Sequence, residues 1–397
     1  MAVCTAPIDK KGLTDARNYG SSPDELRQIF EDDMPRVMRP WKKRKLLLYA
    51  HGGLVTQAAA VQRVVEYRKA MLDAEVYPLA FIWNSDYWTT VTNILQDAIR
   101  RRRPEGALDA AKDFMLDRLD DALEPLARVL TGKAAWGEMK ENALGASLPG
   151  HGARLVLEHL TGLLGTFPDL EIHIVGHSAG SILHAPIVQL LTTQGSIASG
   201  PLQGEMGLGQ KVTTCTLWAP ACTMRLFEEA YLPAIEAGSI GRFALFVLGD
   251  AVEQNDHCAN IYHKSLLYLV SNAFESPARV PLFRDGVALL GMEKFVRASR
   301  KTMKLFDAGV ADLVVAPNSA SQGSPDASGA RHHGDFDDDL CTVAATLARI
   351  APAAPTAKAK GRQATEEAAA APLRFMPSKT SLRARRVAID ASTQIGR

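Results

Sequence analysis

Short apolar segments alternate along this chain with stretches of helical periodicity, and this alternation limits the possible folds more than any other feature. The apolar segments lie at 46–50, 77–83, 171–175, 212–218, 243–248 and 311–316. Each is short and almost uniformly apolar, which predicts a buried strand. Helical patterns occupy 56–74, 90–130, 135–144, 152–164, 179–193, 224–237, 261–275 and 338–350. Strands joined by helices require right-handed crossovers, so the sequence predicts an α/β fold with a mostly parallel sheet of about six strands and helices on both faces.

A glycine-flanked serine lies between the third predicted strand and the helix that follows it. Residues 176–180 read Gly-His-Ser-Ala-Gly. A sharp strand-to-helix turn of this kind strains the backbone of the serine, requires small residues two positions to either side, and exposes the hydroxyl at the positive end of the helix. Ser178 is therefore the candidate nucleophile, and His177 is expected to pack within the turn. The alternative is a glycine-rich turn with an incidental serine.

A second glycine motif, His51-Gly52-Gly53, follows the first predicted strand. Backbone N–H groups that are already in place stabilise the oxyanion of a tetrahedral intermediate, and removal of one donor typically costs about 3–4 kcal/mol. Glycine lets the backbone approach a substrate closely. The N–H groups of Gly53 and Ala179 are the predicted donors, although the motif by itself could also be an ordinary turn.

Two adjacent histidines lie between the last predicted strand and the last predicted helix. A serine hydroxyl becomes a good nucleophile only when a neighbouring imidazole takes its proton. His333, which Gly334 follows, is the predicted base, and His332 is the alternative. His184 falls inside the helix after the nucleophile and is expected to be a core residue.

Three carboxylates follow the fifth predicted strand, at Asp250, Glu253 and Asp256. One of them is expected to orient the imidazole and to stabilise its charged form. Asp250 is the predicted acid because it is nearest to the end of the strand, with Asp256 second and Glu253 third. Each could instead cap the helix that is predicted to begin near Ile261.

The chain resembles the α/β-hydrolase superfamily, in its lipase and esterase branch, over roughly residues 45–350. The resemblance rests on LLLYAHGG at 46–53, IVGHSAG at 174–180, GDAVEQND at 249–256 and HHGDF at 332–336. It implies acyl transfer to the serine and then to water, without a metal or an organic cofactor. The chain departs from the family pattern in two ways: it has little room for two strands before Leu46, and about 85 residues separate the second and third predicted strands.

These patterns predict three regions. Residues 1–44 form an N-terminal extension of loops and one short helix, and residues 45–350 form the catalytic domain, with a helical insertion at about 90–150 that could cover the site. Residues 351–397 are rich in Ala and Pro and carry nine basic and three acidic side chains, which gives a net charge of +6. Such a composition is typical of a disordered tail.

Composition excludes several classes of function. The net charge of +1 gives no long-range attraction to nucleic acid. The five cysteines include no Cys-X-X-Cys pair, which argues against a zinc site and against a disulfide framework. The sequence has no secretory signal and no apolar run near the roughly 18 residues of a membrane span. A cytoplasmic protein is therefore expected, with signal-independent export left open.

The predicted function is hydrolysis of a carboxylic ester, with a small ester or a lipid as the partner and with peripheral membrane contact left open. A phospholipase that acts on membranes, as a toxin or effector aided by the basic tail, is one alternative. A hydrolase-like scaffold that binds a partner without turnover is the other. A fluorophosphonate probe that labels Ser178 would distinguish an enzyme from a scaffold.

Overall fold

The computed structural model describes residues 2–6, 21–53, 57–83, 87–100, 112–258, 261–281 and 283–352. Within these ranges, no helix is both long enough and apolar enough to cross a membrane. Three of the sequence-based predictions fall largely or partly outside the described residues. They are the basic tail, of which only residues 351 and 352 are described, the helical insertion at residues 101–111, and the N-terminal extension at residues 1 and 7–20.

The described residues form nine strands. They are β1 (Ala2–Ala6), β2 (Lys45–Ala50), β3 (Val76–Trp83), β4 (Glu171–His177), β5 (Gln194–Ser196), β6 (Met206–Leu208), β7 (Val212–Trp218), β8 (Ile240–Leu248) and β9 (Ala311–Ala316). Six of them pair in parallel in the order β3-β2-β4-β7-β8-β9, and β1 adds to the edge beside β3. These six are the predicted strands. β5 and β6 form a separate antiparallel pair.

Helices connect the strands. They are α1 (Pro23–Gln28), α2 (Met34–Met38), α3 (Gln57–Asp73), α4 (Tyr87–Arg100), α5 (Lys112–Ala127), α6 (Lys133–Gly145), α7 (Gly152–Thr166), α8 (Gly180–Thr192), α9 (Met224–Ala230), α10 (Leu232–Glu236), α11 (Asp250–Gln254), α12 (Leu266–Leu269), α13 (Glu293–Ala298), α14 (Arg300–Asp307) and α15 (Leu340–Ile350). Wider π-helical turns follow α1 and α12, at Ile29–Asp33 and Val270–Phe274. Between α5 and α6 the chain kinks at Leu130 and Thr131, which have non-helical dihedral angles.

The sheet is covered on both faces. Gly180, at the start of α8, packs so closely on Ala50 of β2 that an added methyl group would lie 2.8 Å from the Ala50 carbonyl carbon. Tyr49 points to the opposite face, because successive side chains of a strand alternate. There it lines an apolar cavity together with Val64 of α3 and Val343 of α15. Burial on both faces explains why the strands are almost uninterrupted apolar runs, and it confirms the predicted α/β class.

The prediction for the first forty residues was incomplete. Residues 2–6 pair with β3 as an edge strand, and helical structure extends over 23–38 instead of one short helix. Ser22 and Glu25 form a capping box at the start of α1, with N–H to side-chain oxygen distances of 3.2 and 2.7 Å. Pro23 lies in the first turn of α1, where no intrahelical N–H is needed. Pro35 lies just after the π-helical turn Ile29–Asp33 and does not interrupt the helical segment.

Buried polar contacts hold the helical insertion against the segment after residue 260. The Glu124 carboxylate of α5 accepts hydrogen bonds from the Tyr262 hydroxyl and the Asn272 amide, both at 2.8 Å. The fully buried Asp120 accepts the His263 N–H at 3.1 Å. These contacts keep residues 261–265 out of the helix that was predicted to begin at 261, and α12 begins only at Leu266.

Candidate active site

The parallel sheet brings distant parts of the chain to one edge. Ser178 follows β4, the loop of residues 51–53 follows β2, and Asp256 lies beyond the end of β8. His333 lies between β9 and α15. Because these strands run in the same direction, the segments after them meet at the carboxyl edge of the sheet, where ligands of open α/β sheets usually bind.

The backbone at Ser178 has the strained geometry that a nucleophile turn requires. Its φ angle is +51°, in a left-handed region that side chains other than glycine rarely adopt. The turn also needs the small residues on either side. A methyl group at Gly176 would lie 3.1 Å from the His184 ring, and one at Gly180 would overlap the carbonyl of Ala50. The Ser178 N–H donates to the Trp218 carbonyl at 2.9 Å, which ties the turn to β7.

The structure brings Ser178 and His333 together. The Nε2 atom of His333 lies 2.9 Å from the Ser178 hydroxyl oxygen, and the two residues are 4% and 3% exposed. Burial lowers the pKa of His333 to about 3; nearby His177 adds to this effect, and the negative charge of Asp256 opposes it. At neutral pH the imidazole is therefore uncharged, which is the state that can accept a proton from the serine.

Asp256 is the carboxylate that contacts the histidine pair. Its Oδ2 atom accepts the main-chain N–H of His333 at 3.1 Å, and its Oδ1 atom accepts a hydrogen bond from Nδ1 of His332 at 2.8 Å. The Nδ1 atom of His333 is buried and has no hydrogen-bond partner among the described residues. In this structure, Asp256 thus holds His333 through its main chain and contributes its charge nearby.

Asp250 does not join this group, and neither does Glu253. The Asp250 carboxylate accepts hydrogen bonds from the Tyr268 hydroxyl at 2.7 Å and the Gln254 amide at 2.6 Å. Glu253 is fully buried, and burial, with the neighbouring charges of Asp250 and Asp256, raises its pKa well above the usual range. Asp250 is nearest to the end of β8, but it lies at the start of α11. The chain returns to Ser178 and His333 only after this helical turn, at Asp256.

The predicted oxyanion residues lie against the nucleophile turn. A methyl group added at Gly53 would lie 3.4 Å from Cβ of Ala179, and one at Gly52 would lie 3.3 Å from Cβ of Ser178. His51 is buried and its Nδ1–H donates to the Gly52 carbonyl at 2.8 Å, which orders the loop. The loop of residues 51–53 thus packs directly against the turn at Ser178 and Ala179.

Sequence reasoning missed Ser181, which supports the candidate nucleophile Ser178 from one turn further along the chain. Its hydroxyl donates to the Ser178 carbonyl at 2.7 Å and accepts the Cys222 N–H at 3.1 Å. The only signal was a second hydroxyl three residues after the first. His184 is a buried core residue, as expected, and its Nε2–H donates to the Val175 carbonyl at 3.1 Å.

The contact between the Ser178 hydroxyl and the His333 imidazole is suited to nucleophilic and acid–base chemistry by these two side chains. Across the part of the chain that the structure describes, no group of three or more His, Cys, Asp or Glu side chains is placed to hold a metal ion.

Comparisons with known proteins add little. No protein-family model matches the chain, and no curated protein matches it. One solved structure, the crystal structure of an uncharacterized protein from Pseudomonas aeruginosa, is similar over 88% of this chain, with 11% sequence identity and a TM-score of 0.28. The chain spans about half (51%) of the length of that protein.

Proposed function

We propose that this chain is a serine hydrolase of the α/β-hydrolase type that cleaves carboxylic esters through an acyl-enzyme on Ser178. The observation that carries the proposal is the 2.9 Å hydrogen bond between the Ser178 hydroxyl and Nε2 of His333, beside a backbone with φ of +51°. A serine hydroxyl paired with a neutral imidazole on a strained turn is the arrangement that activates a nucleophile.

The order of the segments supports the fold assignment. The nucleophile turn joins β4 to α8, the acid segment follows β8, and the base follows β9. In chain order the residues are therefore serine, acid and histidine, which is the order of α/β-hydrolases. The loop after β2 contributes the second oxyanion donor, as in that fold.

In the proposed reaction, Nε2 of His333 takes the hydroxyl proton while Oγ of Ser178 attacks the ester carbonyl carbon. The carbonyl oxygen becomes an oxyanion that accepts hydrogen bonds from the N–H groups of Gly53 and Ala179. The intermediate then collapses, the C–O bond of the ester breaks, and Nε2 of His333 returns the proton to the departing alcohol. An acyl group remains on Ser178.

Water completes the cycle by the same route. His333 takes a proton from a water molecule that attacks the acyl carbonyl carbon, and the proton passes to Oγ of Ser178 as the acid is released. During both steps His333 carries a positive charge, which the Asp256 carboxylate stabilises. A direct bond from Nδ1 of His333 to Asp256 would form as the charge develops, because catalytic hydrogen bonds are often incomplete in the free enzyme.

The acyl-transfer chemistry proposed for Ser178 cleaves the carboxylic esters of lipids as well as those of small molecules. A phospholipid substrate is therefore the second candidate.

A fluorophosphonate probe tests the proposal directly. We expect covalent labelling of the folded protein, loss of labelling in Ser178→Ala, and full labelling in the control Ser196→Ala, which changes an exposed serine of β5. Absence of labelling in the wild-type protein would favour the non-catalytic scaffold. Rates on nitrophenyl esters of increasing chain length, compared with phospholipid vesicles, would then separate an esterase from a phospholipase.

A further inference from the structure

We propose that His177 is a positioning residue, which fixes the main chain of the base relative to the nucleophile turn and to the oxyanion loop. The inference rests on the proposed function, because it assigns a role within the same site. His177 directly precedes Ser178 in the chain, so its backbone moves with the nucleophile.

The His177 ring is enclosed between the sheet and the segment that carries the base. It is 1% exposed. Its ring centroid lies 6.4 Å from that of Trp218, 5.6 Å from that of His333 and 6.4 Å from that of Phe336. The ring therefore fills the space directly behind the base, and its position determines how close the base segment lies to the sheet.

One hydrogen bond links this ring to the base. Nε2 of His177 lies 3.0 Å from the main-chain oxygen of His333. A carbonyl oxygen can only accept, so Nε2 of His177 carries the proton and donates. In the neutral ring, Nδ1 then keeps a lone pair.

The peptide groups of His333 are consequently held from two sides. Asp256 accepts the N–H at 3.1 Å, and His177 donates to the C=O at 3.0 Å. With both main-chain polar groups engaged, the direction of the side chain from Cα is fixed, and the imidazole reaches Ser178. Asp256 alone would leave the carbonyl end of the residue free to rotate.

The other edge of the His177 ring faces the oxyanion loop. Its Nδ1 atom is buried, makes no hydrogen bond within the described ranges, and lies 3.5 Å from where a methyl group on Gly52 would be. A single ring thus contacts the base segment on one edge and the oxyanion loop on the other. A change in its position would displace both relative to Ser178.

Substitutions separate this role from simple packing. His177→Phe keeps an aromatic ring but cannot donate, whereas His177→Gln can still donate to the His333 carbonyl. The matched control is His173→Phe, because His173 is a buried histidine of the same strand whose Nδ1 shares a hydrogen bond with the Thr214 hydroxyl at 2.9 Å, away from the base and from the nucleophile turn. Displacement of a catalytic group by about 1 Å costs on the order of a hundredfold in rate.

We therefore expect His177→Phe to lower kcat by about ten- to a hundredfold with KM changed less than about twofold. His177→Gln should recover most of that loss. His173→Phe should lower the melting temperature but leave kcat within about threefold of wild type. The proposal would be overturned by a folded His177→Phe protein with wild-type kcat, by a failure of glutamine to rescue, or by an equal loss of kcat in His173→Phe.

Nuclear magnetic resonance gives a readout that does not depend on turnover. Long-range proton–nitrogen spectra of the wild-type ring should show His177 as the Nε2–H tautomer, and an Nδ1–H tautomer would overturn the inference. A wild-type protein that neither labels nor turns over would refute the proposed function. The tautomer would then still decide whether His177 holds the segment of residue 333.

Discussion

Nε2 of His333 and Oγ of Ser178 lie 2.9 Å apart, although 155 positions separate the two residues in the sequence. Each residue reaches this point by its own route: Ser178 through the turn after β4, and His333 through the segment after β9. The two side chains lie on different segments of the chain, so they come together only when the sheet has formed.

The two adjacent histidines should differ sharply in their effect on turnover. His333→Ala removes the imidazole that contacts the Ser178 hydroxyl, and kcat should fall by at least about a thousandfold. His332→Ala removes a partly exposed side chain that contacts Asp256, and kcat should fall by less than about tenfold. Steady-state rates on one nitrophenyl ester measure both. A larger loss in His332→Ala would assign the base to residue 332 instead.

The acid can be identified by a pair of isosteric substitutions. Asp256→Asn removes the charge beside His333 and should lower kcat by about a hundredfold or more, because the imidazolium is no longer stabilised. Asp250→Asn changes a carboxylate whose contacts are Tyr268 and Gln254, and kcat should stay within about threefold of wild type. Both variants should bind substrate with similar KM. If the two effects were exchanged, Asp250 would be the acid after all.

The close packing of the nucleophile turn should not tolerate a single added methyl group at its second glycine. In Gly180→Ala the new Cβ would overlap the Ala50 carbonyl, which should destabilise the fold by about 1–3 kcal/mol or more and displace Ser178. The control is Gly162→Ala in α7, where no atom lies within 4 Å of the added carbon. That change should stabilise the protein by about 0.5–1 kcal/mol. Urea unfolding curves give both values, and equal stability of the two variants would contradict the packing.

Stability should fall as the pH is lowered from neutral. Burial lowers the pKa values of His51 and His184 to about 4 and that of His333 to about 3, from 6.5 in the unfolded chain. Below pH 6.5 the unfolded chain therefore binds protons that the folded protein does not, and each such group costs up to about 1.4 kcal/mol per pH unit until its folded pKa is reached. Melting temperatures between pH 7 and pH 5 should show a steady fall. A flat profile would mean that these rings are solvated or charged in the fold.

The sheet could be predicted because its strands are buried on both faces and so leave continuous apolar runs. β1 could not, because Thr5 interrupts the short segment Ala2–Ala6, which forms a strand by pairing with β3, more than 70 residues later. Pairing with so distant a strand leaves no local pattern.

Residues of the candidate site could be predicted where the chemistry requires a local sequence motif. They could not be predicted where their position depends on the path of the chain. The glycines around Ser178 are required by contacts with Ala50 and the His184 ring, so they appear as a motif. Which of Asp250 and Asp256 contacts the histidines depends on the direction of the single helical turn of α11. The sequence pattern does not predict that direction. The bond from His177 to the His333 carbonyl joins a side chain to a main-chain atom, which any residue at 333 would supply.

The positive φ angle of Ser178 means that the backbone at this position is less stable with serine than it would be with glycine. A residue with a side chain loses about 1–2 kcal/mol in a left-handed backbone conformation, whereas glycine adopts it freely. Ser178→Gly should therefore abolish turnover and raise the melting temperature by a few degrees in the same molecule. A thermally weaker glycine variant would show that contacts of the hydroxyl, including the one to His333, contribute more than the backbone loses.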